Sequence, residues 1–120
     1  MPQTVHISLV EIAPQFANPG TIAMARSQAL ASESNATVTT SSITATTQPN
    51  SATIGTRDIE RLAWRISMPP AATATDRVYA RIAPTATAAT TSDMHLAHNQ
   101  VHFLACTTVG ERLTLIGNVA

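Results

Sequence analysis

The sequence predicts an α+β fold in one domain of 120 residues: an N-terminal β-hairpin, an antiparallel β-sheet and a short C-terminal helix. Three observations predict it. Apolar and polar residues alternate along 61–68 and again along 77–82, the period of two of a half-buried strand. Asn18-Pro19-Gly20 is turn chemistry between two β-rich segments. Thr108 is followed three residues later by Glu111, a capping-box pattern, with Val109, Leu113 and Ile116 at helical spacing and Gly117 as a stop.

Taken in order, Val5, Ile7 and Leu9, with Val10 and Ile12, predict a first strand ended by Pro14, and the run 21–28 predicts a second, so that 1–28 forms a hairpin. Residues 32–56 are rich in Thr, Ser and Ala with sparse apolar positions at Val38, Ile43 and Ile54. Their β-branched content predicts thin strands and loops, with disorder as the alternative. The segment 60–106 is expected to form the antiparallel sheet. Leu62, Trp64, Ile66 and Met68 point to one side, and Arg61, Ala63, Arg65 and Ser67 to the other. Val78, Ala80 and Ile82 likewise oppose Arg77, Tyr79 and Arg81. Joined by the loop 68–76, the two runs are expected to pair and to display four guanidinium groups beside one tyrosine. A helical alternative stays open for the first run, because Arg57, Arg61 and Arg65 also repeat at a spacing of four, although like charges so placed disfavour a helix.

Farther on, 84–93 reads as a loop. In the third strand Val101, Phe103 and Ala105 are expected on the core side, with His98, Gln100 and His102 opposite. The short helix occupies 108–117, although Arg112-Leu113-Thr114-Leu115-Ile116 also alternates as a strand would.

Hydrophobic residues make up 44% of the chain but aromatic residues only 3%, so the core is built from Ala, Val, Ile and Leu, each contributing less on burial than a large ring. A core so thin favours burial of further surface against a second copy of the chain. Net charge is zero and lysine is absent; of the seven arginines, five lie between 57 and 81. Arginine suits planar hydrogen bonding to phosphate. The lone Cys106 cannot form a disulfide within the chain. No signal-like or membrane-spanning run is seen, and a soluble, unexported protein is expected.

His95, His98 and His102 invite a metal reading, but strand geometry points His95 away from the other two and leaves fewer ligands than a structural zinc site uses. There is no glycine-rich phosphate loop and no paired-carboxylate motif, and Cys106 has only a distant base in His102. The expectation is a non-enzyme without cofactor or metal. The arginine strands carry more: alternating guanidinium groups can follow successive phosphates, and Tyr79 can stack on an unpaired base. Alternatively the arginines pair with Asp58, Glu60 and Asp76 on a solvated face.

The stretches RLAWRISMPP, DRVYARIAPTA and VHFLACTTVGERL, in that order over the second half of the chain, resemble coat (capsid) proteins of single-stranded RNA bacteriophages, the leviviruses. The resemblance implies an intertwined homodimer with one continuous sheet, assembled into an icosahedral capsid around viral RNA, with binding of a translational operator as a further role. Carried over residue by residue, it implies RNA contact by Arg61, Ala63, Arg65 and Ser67 on the first strand, Arg77, Tyr79 and Arg81 on the second, and His98, Gln100 and His102 on the third. The implied location is the virion, assembled in the bacterial cytoplasm without membrane contact. The rival reading is a β-rich virion accessory or adhesion domain that binds no nucleic acid.

Overall fold

The architecture is all-β, in a computed structural model that describes residues 3–14, 22–24, 34–50, 54–55 and 59–119. Among the described residues nine strands follow one another: β1 (Gln3–Pro14), β2 (Ile22–Met24), β3 (Ser34–Val38), β4 (Ile43–Thr44), β5 (Leu62–Ser67), β6 (Val78–Ala83), β7 (Met94–Leu96), β8 (Val101–Ala105) and β9 (Arg112–Gly117). They form two antiparallel sheets. Sheet one runs β2-β1-β5-β8, with β3 also paired to β1; sheet two runs β4-β9-β6-β7.

Alternation decides what each sheet buries. Val5, Ile7 and Leu9 of β1 stand beside Leu62, Trp64 and Ile66 of β5, since Leu9 registers with Trp64 and Ile7 with Ile66. Sheet two contributes Val78, Ala80, Leu96, Leu113 and Leu115, and all of these join the sheet-one residues in a single cluster. The two layers therefore close one core between them. Trp64, the only tryptophan, is wholly buried, and its Nε1–H donates to the Thr47 carbonyl at 3.3 Å, so the one large ring is buried with its polar edge satisfied.

The layers are stitched where their ends meet. The Gln3 side-chain amide donates to the Arg77 carbonyl across the sheets at 3.3 Å, and Gly117 N–H donates to Thr39 O at 2.7 Å. A Cβ on Gly117 would stand 3.2 Å from both Arg77 O and Val38 Cγ1, a tight contact, so this approach favours glycine.

Three expectations are corrected. The α+β class with a C-terminal helix is replaced by all-β. Residues 108–110 turn, with Gly110 at φ 86°, and 112–117 form β9. Leu113 and Leu115, two apart, both face the core, and β9 lies between β4 and β6, which bond both of its edges. A helix would turn one of those leucines outward and forfeit both ladders. Helical structure among the described residues is limited to single turns, an Ile54 N–H bond to Asn50 O at 2.9 Å and the 3-10 turn Ile59–Arg61.

The single antiparallel sheet over 60–106 is also absent. Both edges of β5 are taken by β1 and β8, and both edges of β6 by β9 and β7, so the connection 68–77 passes from one layer to the other instead of closing a hairpin. Finally, the strands divide into two layers that close one core between them, so one continuous sheet is not the architecture.

Near the start, β1 and β2 pair antiparallel with Ile12 opposite Met24 and Pro14 opposite Ile22. The expected turn at 18–20, the strand residues 25–28, and Arg57 with Asp58 lie outside the described residues.

Candidate nucleic-acid interface

The outer face of sheet two is organised by β6. With Val78 and Ala80 buried inward, Tyr79 and Arg81 must point outward, and Arg77 precedes them at the strand's start. Tyr79 lies opposite His95 of β7, and their rings meet at 5.6 Å between centroids with planes tilted by 48°. The row is thus guanidinium, aromatic pair, guanidinium.

The two arginines are held differently. Arg77 Nη1 donates to the carbonyls of Ala74 at 2.9 Å and Asp76 at 2.8 Å, while its backbone N–H donates to Asn118 Oδ1 at 2.7 Å. This guanidinium is fixed in place, with two of its five N–H donors used on those carbonyls and three left to offer. Arg81 is looser: its Nη1 stands 3.9 Å from Asp93 Oδ2, and its side chain is 41% exposed. Beside Arg81, Thr114 is covered by the segment after β6, its hydroxyl donating to Thr87 O at 2.8 Å, and this bounds the open face on that side.

The acids are engaged elsewhere, and in a repeated way. Asp76 accepts the N–H groups of Ala72 and Thr73 at 2.9 and 3.1 Å and the Thr73 hydroxyl at 2.6 Å. Asp93 accepts the Thr90 N–H at 2.8 Å; Glu111 accepts the Thr107 N–H at 2.8 Å. Each acid closes a turn begun by a threonine three or four residues earlier, immediately before β6, β7 or β9. The Thr73 hydroxyl, with the backbone N–H donors, holds the Asp76 carboxyl below its ordinary range. The pattern read as a helix capping box at 108–111 is in fact such a turn cap.

The first predicted strand lies on the other layer. Arg61 is exposed, Ala63 buried, and Arg65 and Ser67 half-buried, with Arg65 flanked by Ser8 of β1 and Phe103 of β8. No hydrogen bond or ion pair ties Arg61 or Arg65 to another described residue. The expected array of four guanidinium groups on one face is therefore divided between the outer faces of two sheets.

The third strand departs further. Ile66 registers with His102 and Trp64 with Leu104, so these turn inward, and Leu104 packs on the core; Val101, expected in the core, is 43% exposed on the outer side with Phe103. His102 is accommodated inside because its Nε2–H donates to Ala97 O at 2.9 Å. His98 and Gln100 precede β8 in its entry loop. His98 Nε2 bonds Gln3 Oε1, while Gln100 is exposed and its carbonyl accepts the Met68 N–H at 2.9 Å. Burial holds the His98 imidazole below its usual range.

His95 is the residue that sequence reasoning missed. Buried Leu96 fixes its outward direction, but only the β6–β7 pairing brings it to Tyr79. The three clustered histidines go to three different partners, and among the described residues no three His, Cys, Asp or Glu side chains gather to hold a metal ion. Burial, with the nearby Glu111 charge, pushes the Cys106 thiol up to about 12, far from a thiolate at neutral pH.

No helix among the described residues is long and apolar enough to cross a membrane. Comparison of the chain with protein-family models, with curated proteins and with solved structures yields no match.

Proposed function

We propose that this chain is a non-catalytic viral coat subunit that associates with copies of itself into a closed shell and holds single-stranded RNA against the outer face of sheet two. The observation that carries the reading is the Arg77–Tyr79–Arg81 row with His95 beside Tyr79. Aromatic rings suit unpaired bases, which offer a π-face whatever their sequence, and the flanking guanidinium groups suit phosphates. Arg77 supports the reading because its orientation is set before RNA arrives, so little side-chain entropy is lost on contact.

The test is to express the full chain in bacteria, treat the purified material with nuclease, and combine negative-stain electron microscopy with absorbance at about 260 and 280 nm, where nucleic acid and protein differ. Uniform particles with protected RNA are expected, with RNA content reduced in Tyr79→Leu. A small oligomer free of nucleic acid overturns the proposal. That outcome favours an accessory or adhesion domain, a reading supported by the division of the arginine strands between two layers.

A further inference from the structure

His98 lies outside the Arg77–Tyr79–Arg81 row but is hydrogen-bonded through Gln3 to its first member. We propose that His98 is a proton sensor for this face: phosphate held by Arg77 draws a proton onto His98 Nδ1, so the chain holds single-stranded RNA more tightly as pH falls below neutrality. This rests on the reading of sheet two as an RNA face.

Three observations carry it. The first is a fixed tautomer. The Gln3 amide Nε2 donates to the Arg77 carbonyl at 3.3 Å, which leaves Gln3 Oε1 facing His98 Nε2. An amide oxygen only accepts, so Nε2 carries the imidazole hydrogen and the lone pair is on Nδ1. No hydrogen bond from a described residue reaches Nδ1 and the side chain is only half-buried, so a proton can be added there with the Gln3 contact intact.

The second is the set of groups around the ring. Asp76 faces it from the turn before β6, Arg77 from the start of β6 and His95 from β7. The β1 strand presents the neutral Gln3, and His102 of β8 turns its Nε2–H to the Ala97 carbonyl. Arg77 and His95, which oppose a positive charge on His98, are the groups that the RNA reading places against phosphate and base. The third is the sign of the coupling. A phosphate on Arg77 offsets the repulsion from that guanidinium, while Asp76, kept ionised by its turn hydrogen bonds, goes on attracting. The RNA-bound chain therefore takes up a proton that the free chain, its ring held neutral mainly by burial, refuses. Linkage is reciprocal, so a ligand that raises proton affinity is itself bound more tightly when protons are abundant.

The experiment follows anisotropy of a labelled uridine oligonucleotide of about eight residues on the RNA-free full chain from about pH 7.5 to about pH 5.5, and counts protons by calorimetry in two buffers of different ionisation heat. Circular dichroism at each pH shows that the protein is folded. Since His95 is a second imidazole at the face, the comparison is made in His95→Gln. That variant should take up protons on binding and gain affinity in acid, by at most about tenfold per pH unit for one proton. His95→Gln/His98→Gln should lose both effects, although glutamine at 98 retains a donor for Gln3. Equal proton uptake in the single and double variants, or an affinity of His95→Gln that is flat across this range, overturns the sensor and leaves the RNA face standing. Failure of the unsubstituted chain to bind the oligonucleotide at any of these pH values overturns both.

Discussion

Glu111 closes the turn before β9 by accepting two hydrogen bonds from one residue, the Thr107 N–H at 2.8 Å and the Thr107 hydroxyl at 2.9 Å. The carboxylate is buried although Thr107 itself is exposed, so removing it loses two hydrogen bonds to a charged acceptor. Glu111→Ala should cost about 2 kcal/mol, the scale of hydrogen bonds to a charged acceptor, and Thr107→Val somewhat less. Urea unfolding of both single variants and the double variant checks this. The two losses should be non-additive, and simple additivity would show that the residues act independently.

Acid should weaken the fold in two stages. Burial keeps the His98 imidazole from protonating, the Asp76 charge partly opposes this, and His95 and Arg77 reinforce it. Below the ordinary value of 6.5 the unfolded chain takes up a proton that the folded chain refuses, so stability falls as pH drops from there toward the folded value. Asp76 has the opposite charge type but the same direction of loss. Its contribution is complete above the ordinary value of 3.8 and disappears as pH falls through the lower folded value. Urea midpoints measured across pH should show both steps, with His98→Gln removing the first and Asp76→Asn the second. A flat profile between about pH 7 and pH 5 contradicts the assignment to His98.

Cys106 should behave as a reporter of unfolding. Its thiol is buried and raised to about 12, so almost none is thiolate near neutrality and little of it is reachable. Alkylation should be negligible in buffer and become rapid through the urea transition. Rapid labelling of the native protein would show that the strip between β5 and β8 opens locally.

The glycine before β9 and the one at its end should fail for different reasons. Gly110 has φ of 86° with open space where a Cβ would go, so Gly110→Ala costs about 1 kcal/mol of backbone strain and Gly110→Asn less. Gly117 has ordinary backbone angles but close neighbours, so Gly117→Ala must push apart Val38 and the Arg77 carbonyl, at about 1–3 kcal/mol. Thermal unfolding of the three variants tests the order.

Strand positions and inward faces were legible where alternation was strict. Leu62, Trp64 and Ile66, and likewise Val78 and Ala80, are the buried sets that a period of two selects. Partnership was not legible, because alternation says which side of a strand is apolar and nothing about which strand lies beside it. That is why Arg65 and Arg81 read as neighbours and lie on different layers. Direction failed in β8 because Val101, Phe103, Leu104 and Cys106 leave no polar side, and a one-residue shift reverses every side chain. At the C-terminus Thr108 and Glu111 satisfy a helix signal and a turn signal alike; the choice falls to the β4 and β6 ladders, which are tertiary. One local signal was present in the sequence: Thr73 with Asp76 and Thr90 with Asp93 share one spacing, and both cap turns.

Arg77 and Arg81 should separate stability from RNA affinity. Arg81 touches Asp93 only at 3.9 Å and is 41% exposed, so under the proposed RNA reading its loss should remove one phosphate contact and little else. Arg81→Ala should therefore leave the unfolding midpoint unchanged while lowering the slope of log affinity against log salt by about 0.7, the share of one phosphate on a single strand. Arg77 also ties the carbonyls of Ala74 and Asp76, so Arg77→Ala should lower both the unfolding midpoint and the affinity. Arg77→Lys keeps the charge but not the planar donor array that reaches both carbonyls, and should preserve the salt slope while recovering only part of the stability. Anisotropy titrations with a labelled uridine oligonucleotide over a salt series, beside urea unfolding of the same samples, read the two effects separately. If Arg81→Ala leaves the salt slope unchanged while Arg77→Ala lowers affinity only in proportion to its loss of folded protein, the outer face of sheet two contacts no phosphate, and the arginines there serve the turns alone.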